Sequence, residues 1–280
     1  KGLFTQGMVC HETYKDSHNN WVFPEDVTSD DNKNFYLIND PQNKITVGSS
    51  ESMSKSKKNI IDPETIIQSY GADAVRLFIL SDSPPEKDVQ WSDRGMESAY
   101  KFLQKLWLLH QEILKKISIK GNTDNEIPIF TNQIIEKVTS NLENFHYNVI
   151  IANLHDIYRF YKKKIDEPID GKIILTNYQK VIKMMVPIIP HFANECLEQL
   201  NVESDLNWPN VEKEFLEKKA NNIVIQINGR KRDLLNLDKD IGEKEILAKV
   251  MKSEKCVKYL ENKEIKKTFY VKNKLINIIV

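Results

Sequence analysis

The sequence predicts a multidomain, mainly α-helical protein that begins in β-structure and closes on a small α+β unit. Three observations carry this. The chain has 280 residues, more than one ordinary domain of roughly 100–200 residues. Between Asp62 and Leu200 apolar residues recur at helical steps of three and four. After Ala220 the pattern changes to apolar/polar alternation around Asn228-Gly229, a pair that tolerates the positive φ angles of a tight hairpin turn.

The elements follow in order. Residues 1–50 read as short strands, "WVFP", "NFYLI" and "KITVG", separated by turn-forming stretches at Asp30-Asp31-Asn32 and Asn39-Asp40-Pro41. A loop rich in serine and lysine, "ESMSKSKKN", comes next. Asp62-Pro63-Glu64 then supplies an N-cap, a proline at the first helical position and an acid in the first turn, so a helix is expected from there to Gly71. "ADAVRLFIL", Ala72 to Leu80, begins another helix, and Pro84-Pro85 interrupts the chain. Beyond it Phe102, Leu103, Leu106, Trp107, Leu109, Ile113 and Leu114 share one helical face. Helical patterns over Thr131–Asn144, Tyr147–Lys164, Gly171–Met185 and Pro190–Leu200 complete a bundle. Asn201–Ala220 is polar and reads as a linker with some helix. The last sixty residues predict a hairpin at Asn228-Gly229, a helix over Gly242–Glu261 and a second hairpin at Asn273-Lys274, a ββαββ unit.

Forty basic and forty acidic residues cancel, so any basic surface must be a local patch. Cys10, Cys196 and Cys256 form no Cys-x-x-Cys pair, which argues against a zinc ribbon or a disulfide framework and fits a reducing compartment. No apolar run reaches the roughly 18 residues of a membrane span, and a cytoplasmic location without membrane contact is expected. The chain starts at Lys1 and passes at once into "LFTQGMVCHETY", a mixture suited to a domain interior, so a piece of a longer protein is expected.

Lys55, Lys57 and Lys58 beside small hydroxyl residues suit a polyphosphate, because an ammonium is a compact charge with three donors on a flexible stem. The glycines and Gly-Lys-Ser/Thr ending of a P-loop are absent, so such a loop would close over phosphate from one side. Alone, a basic turn is more often simply solvated. Its surroundings point elsewhere. "MSKSKKN" followed by "IIDPETIIQSYGADAVRLFIL" resembles the second signature of the class I aminoacyl-tRNA synthetases. "QGMVCHETYKD", "SDSPPEKDVQWSDRGMESAYKFLQKLW", "VPIIPHFANECLEQL", "IVIQINGRKRDLLNL" and "TFYVKNKLINIIV" resemble, in order, landmarks of the bacterial leucyl-tRNA synthetases.

The resemblance implies the C-terminal half of such an enzyme. It divides the chain into the end of a Rossmann-type catalytic domain at 1–95 with its loop at 50–60, a helical anticodon-binding bundle and linker at 96–220, and a tRNA-binding α+β domain at 221–280. It implies ATP as cofactor with Mg2+, no metal site on this chain, and tRNA-Leu as partner, with leucine held by the part not represented. Met53, Ser54, Lys55 and Ser56 fall on the ATP-binding positions, and Lys55 on the lysine that contacts ATP. Ser52 stands where the family has its first lysine, which leaves Lys57 or Lys58 as candidates to replace it. The family's other ATP signature, His-x-Gly-His, is absent, since His11, His18, His110, His146, His155 and His191 never fall three apart. The chain alone is therefore expected to be inactive. A non-catalytic tRNA-binding module and a synthetase for another branched aliphatic amino acid are the alternatives.

Two basic clusters are candidates for tRNA phosphates: Arg159, Lys162, Lys163 and Lys164 among aromatic residues, and Arg230, Lys231 and Arg232 on the predicted hairpin. Each single residue is as readily a solvated one. Asp73 and Arg76, one helical turn apart, suggest an ion pair beneath the loop or an ordinary exposed pair. Trp91, Gly95 and Trp107 read as structural, His191 as a satisfied or partly buried histidine at a helix start, and the cysteines as inert.

Overall fold

The computed structural model describes residues 3–30, 34–202, 207–216, 220–238, 241–261 and 263–280. Lys1, the turn predicted at Asp31-Asn32 and the linker stretches 203–206 and 217–219 lie outside them. The chain divides into two compact units, Lys1–Val211 and Glu212–Val280.

The first unit opens with strands β1 (Val9–Lys15), β2 (Trp21–Val22), β3 (Val27–Ser29), β4 (Phe35–Leu37) and β5 (Asp40–Ser52), joined later by β6 (Val89–Gln90). Their order is β2-β1-β5-β4-β3, with β6 off this path and pairing β1 at Val9 and Cys10. Short connections make β1/β2, β3/β4 and β4/β5 antiparallel, and β5 returns antiparallel along β1. Among the described strands of this sheet, β1 and β6, linked by a long excursion, pair in parallel, Val9 opposite Val89. The Rossmann-type character expected of this segment thus rests here on one short ladder. Where the β1/β5 register shifts between Glu12 and Tyr14, a Cβ on Gly48 would collide with the Thr13 hydroxyl, so the close approach requires glycine.

Helices α1 (Pro63–Tyr70) and α2 (Ala72–Ser81) follow, then the bundle of α3 (Asp93–Lys116), α4 (Glu126–Glu143), α5 (Tyr147–Lys164), α6 (Gly171–Met185) and α7 (Pro190–Gln199). The Asp62 carboxylate accepts from the Glu64 and Thr65 amides at 3.2 and 3.3 Å, and Gly71 ends α1 at φ +81°, the cap and stop read from sequence. Helix α4 begins five residues before the expected Thr131. Pro128 lies in its first turn, where a missing N–H breaks no helical bond, and Asp124 accepts from the Ile127 amide at 2.7 Å. Leu106, Leu109, Ile113, Ile134, Ile150 and Ile182 are buried in one continuous core, each such side chain contributing about 1.5–3 kcal/mol. Trp208 packs against this core and donates to Thr139 Oγ1 at 2.8 Å, fixing the linker's first part to the bundle.

The second unit contains β7 (Ala220–Ile227), β8 (Arg230–Asp238), α8 (Glu243–Val250), α9 (Glu254–Leu260), β9 (Lys267–Val271) and β10 (Leu275–Ile279) in a sheet of order β8-β7-β10-β9. Asn228 and Gly229 have φ of +49° and +76°, as a type I′ hairpin turn demands. The single helix expected over Gly242–Glu261 is two helices. Extended backbone at Ser253 starts the second, and the Ser253 hydroxyl donates to Asp233 on β8 at 2.6 Å. Ile223, Ile225, Ile227, Ile276 and Ile278 alternate onto the face covered by α8 and α9.

Candidate functional site

The Ser/Lys loop leaves β5 at Ser52 and re-enters the fold at Asn59. Met53 continues the β pairing, its amide donating to the Val9 carbonyl at 3.1 Å. Lys55–Lys57 forms one 3-10 turn, closed by Lys58 in the left-handed region at φ +53°. The turn is held from beneath by Asn59, which is fully buried. Its Oδ1 accepts from the Ser54 amide at 2.8 Å, and its Nδ2 donates to the carbonyls of Glu51 and His11 at 3.1 and 3.2 Å. One side chain therefore fastens both strands and the loop. Its importance is invisible in sequence, where an asparagine after two lysines reads as a turn residue.

The three loop lysines differ. Lys57 is ion-paired with Glu51, whose carboxyl is held below the usual carboxylate range by that hydrogen bond and charge. Lys58 lies 5.1 Å over the Phe23 ring. Lys55 is exposed and makes no ion pair among the described residues. The Ser54 and Ser56 hydroxyls stand 2.8 Å apart beside it. A cavity of about 440 Å³ on the sheet side of α1 is lined by His11, Tyr14, Glu25, Asp62, Thr65 and Asp93. Three carboxylates make it unsuited to phosphate.

The α5 cluster is divided. Arg159 pairs with Asp156 on its own helix, and Lys162 reaches Glu112 on α3 at 2.6 and 2.8 Å, a bond that raises its pKa. Lys163 is exposed. Lys164 is a correction: it is buried, with Glu167, Glu126 and Asp124 at 2.7, 2.8 and 3.0 Å. Burial alone would lower its pKa, but three carboxylates raise it, and it locks α4 to α5. On β8 the register shifts at the turn end, and Arg232 stacks on Tyr259 of α9 at 3.9 Å, while Arg230 and Lys231 are exposed.

Asp73 and Arg76 do not form the expected pair. Asp73 accepts from the Phe192 amide at 2.6 Å and bonds His191 Nδ1 at 3.0 Å, and Arg76 donates to the carbonyls of Pro187 and Ile188 at 2.7 and 2.8 Å. His191 is satisfied, yet its side chain is 75% exposed, because it sits on the outer side of the α7 start. Trp91 packs edge-on against Phe78, Trp107 against Phe192, and a Cβ on Gly95 would meet the Phe78 ring at 2.8 Å. All three are structural. The cysteines are buried, and burial pushes the Cys196 and Cys256 thiols up.

Residues 44–92, which include the loop, match the family model "tRNA synthetases class I (I, L, M and V)", and residues 124–247 match "Anticodon-binding domain of tRNA ligase". The leucine–tRNA ligase of Rickettsia bellii is 40% identical over 283 residues, covering 100% of this chain and 34% of the relative. That of Orientia tsutsugamushi is 38% identical over 284 residues, covering 99% and 33%. A solved LeuRS from Agrobacterium radiobacter K84, in a ternary complex with tRNA and LeuAMS, shares the fold at a TM-score of 0.69 with 23% identity, over 82% of this chain and 31% of that one. The chain spans about a third of the length of these curated relatives, where the sequence resemblance suggested half. From end to end, the chain is homologous to one third of the leucine–tRNA ligases, enzymes of the class I synthetase family.

Proposed function

We propose that the chain works within a leucine–tRNA ligase, which activates leucine with ATP and transfers it to tRNA-Leu in the cytoplasm. In this reading 1–95 closes the catalytic domain, 96–220 is the anticodon-binding bundle with its linker, and 221–280 binds tRNA. The observation that carries it is that Lys55, on a turn anchored from below by Asn59, has neither ion pair nor ring contact among the described residues, whereas Lys57 is paired with Glu51 and Lys58 lies over the Phe23 ring.

Leucine's carboxylate oxygen attacks the α-phosphorus of ATP, the bond to the bridging oxygen breaks, and pyrophosphate leaves. The Lys55 ammonium reaches the phosphates from the loop and stabilises the charge that grows on pyrophosphate. An interaction stronger in the transition state than in the ground state raises the rate. The Ser54 and Ser56 hydroxyls donate to phosphate oxygens. Met53 fixes the loop's departure from β5, and with its amide and that of Ser54 already bonded, side chains carry the binding. Mg2+ enters with the nucleotide, and no residue of this chain is assigned to it.

Lys57, tied to Glu51, stiffens the loop and does not replace the lysine missing at Ser52. Arg159, Lys162 and Lys163 on α5 and Arg230, Lys231 and Arg232 on β8 supply phosphate contacts, which position RNA without reading its bases. Among the described residues no helix is long and apolar enough to cross a membrane. The test is charging of tRNA-Leu by this chain joined to the remaining two thirds of the protein, with leucine, isoleucine and valine in parallel. Charging with leucine alone is expected. Charging with another amino acid, or tRNA binding without charging, contradicts the reading.

A further inference from the structure

The first unit holds a second and larger cavity. About 850 Å³ lies between the start of α2, the middle of α3 and the first turns of α7, within the roughly 300–1,000 Å³ usual for small-ligand pockets. None of its lining residues belongs to the Ser/Lys loop or to the basic clusters on α5 and β8, so the ATP and tRNA readings leave it without a role. Its apolar wall is Leu103, Trp107 and Leu108 of α3 with Phe192 of α7. Trp107 meets Phe192 edge-on, ring centroids 6.4 Å apart, which holds both rings in place. Leu108 is 62% exposed, a large apolar side chain left in water beside them.

Charge selects the occupant. No Lys or Arg lines the cavity, and its ionisable groups are Asp73, His191 and Glu195. Asp73 is committed: it is buried, accepts from the Phe192 amide at 2.6 Å and bonds His191 Nδ1 at 3.0 Å. Its charge therefore offsets that of His191 whenever the imidazole is protonated. Glu195 has no such balance. It is exposed, its Oε1 accepts from the neutral Gln199 amide at 2.6 Å, and it makes no ion pair among the described residues. A carboxylate without a counter-charge, in one cavity with a tryptophan, favours a cation, because indole attracts cations more strongly than other rings. The apolar wall favours a hydrocarbon body. We propose that this cavity binds a small amphipathic ammonium, its head on Glu195 and Trp107 and its body against Leu103, Leu108 and Phe192. The Gln104 amide, which also lines the cavity, can accept from the same head. An anionic head of equal size would meet Glu195 unfavourably.

The probe is phenethylammonium, with hydrocinnamate as the matched anion and hydrocinnamyl alcohol as the neutral control. The full 280-residue chain has four tryptophans, so its indole N–H signals in heteronuclear NMR are few, and Trp107→Phe identifies that of Trp107. The ammonium is expected to move the Trp107 signal saturably, half-way at about 1 mM, and to leave those of Trp21, Trp91 and Trp208 in place. The anion should bind about tenfold more weakly, with the alcohol between the two. Glu195→Gln should weaken ammonium binding up to about fivefold, the range of an exposed ion pair, and remove its advantage over the alcohol. Leu108→Lys, which brings a competing ammonium to the cavity, should abolish it. Both substituted residues are exposed, and an unchanged melting temperature confirms an intact fold. A still Trp107 signal, or native affinity in Glu195→Gln, overturns the proposal. Stronger binding of the anion assigns the cavity to His191 and overturns it as well, as does equal movement of all four signals, the mark of unspecific partition.

Discussion

Asn59 is buried at the root of the Ser/Lys loop and uses both ends of its amide, accepting from Ser54 and donating to carbonyls on β1 and β5. Truncation would leave buried backbone groups unpaired, at roughly 1–3 kcal/mol. Asn59→Ala is therefore expected to lower thermal stability and to make Ser52–Lys58 open to proteolysis in the native state. A variant with native melting and an uncut loop contradicts the anchoring role. The loop's location and its charge were legible in sequence. The division of labour among its lysines was not, because Lys57 is occupied by Glu51 six residues back and Lys58 by Phe23 from another turn. Lys164 shows the same limit: four basic residues within two helical turns look alike until Asp124 and Glu126 at the start of α4, with Glu167 three residues on, take one of them inside.

At the scale of elements, α7 lacks a cap of its own. Ile189 precedes it, and the caps come from α2, with Asp73 on its first amides and Arg76 on the carbonyls of the preceding corner. Asp73→Ala removes a buried cap, and a loss of about 1–2 kcal/mol in urea unfolding is expected. Asp73→Asn, which still accepts a bond, should lose less, and equal stability of all three proteins would refute the capping. Sequence spacing suggested that the pair faced each other, since neighbours on a helix surface are the default. The partner lies more than a hundred residues away. Helices α5 and α6 were legible to the residue because strong apolar spacing and clear ends coincide. The start of α4 was hidden by Pro128, the split between α8 and α9 by continuous helical periodicity across Ser253, and the parallel pairing of β7 with β10 by its long range.

For the whole molecule, composition announced no partner because an acidic and a basic unit cancel. The family landmarks, spread over both units, carried the functional reading further than any bulk property. The chain spans a third of its relatives, so on the proposed reading its part in the chemistry is a contribution to a larger site: the Lys55 ammonium on an anchored loop. Leucine-dependent pyrophosphate exchange in the complete protein tests this most directly. For Lys55→Ala the rate should fall by about 10²–10³, the range seen when one preorganised charge-stabilising donor is removed, with the KM for leucine unchanged and with Lys57→Ala and Lys58→Ala far milder. Near-native exchange in Lys55→Ala would contradict the account.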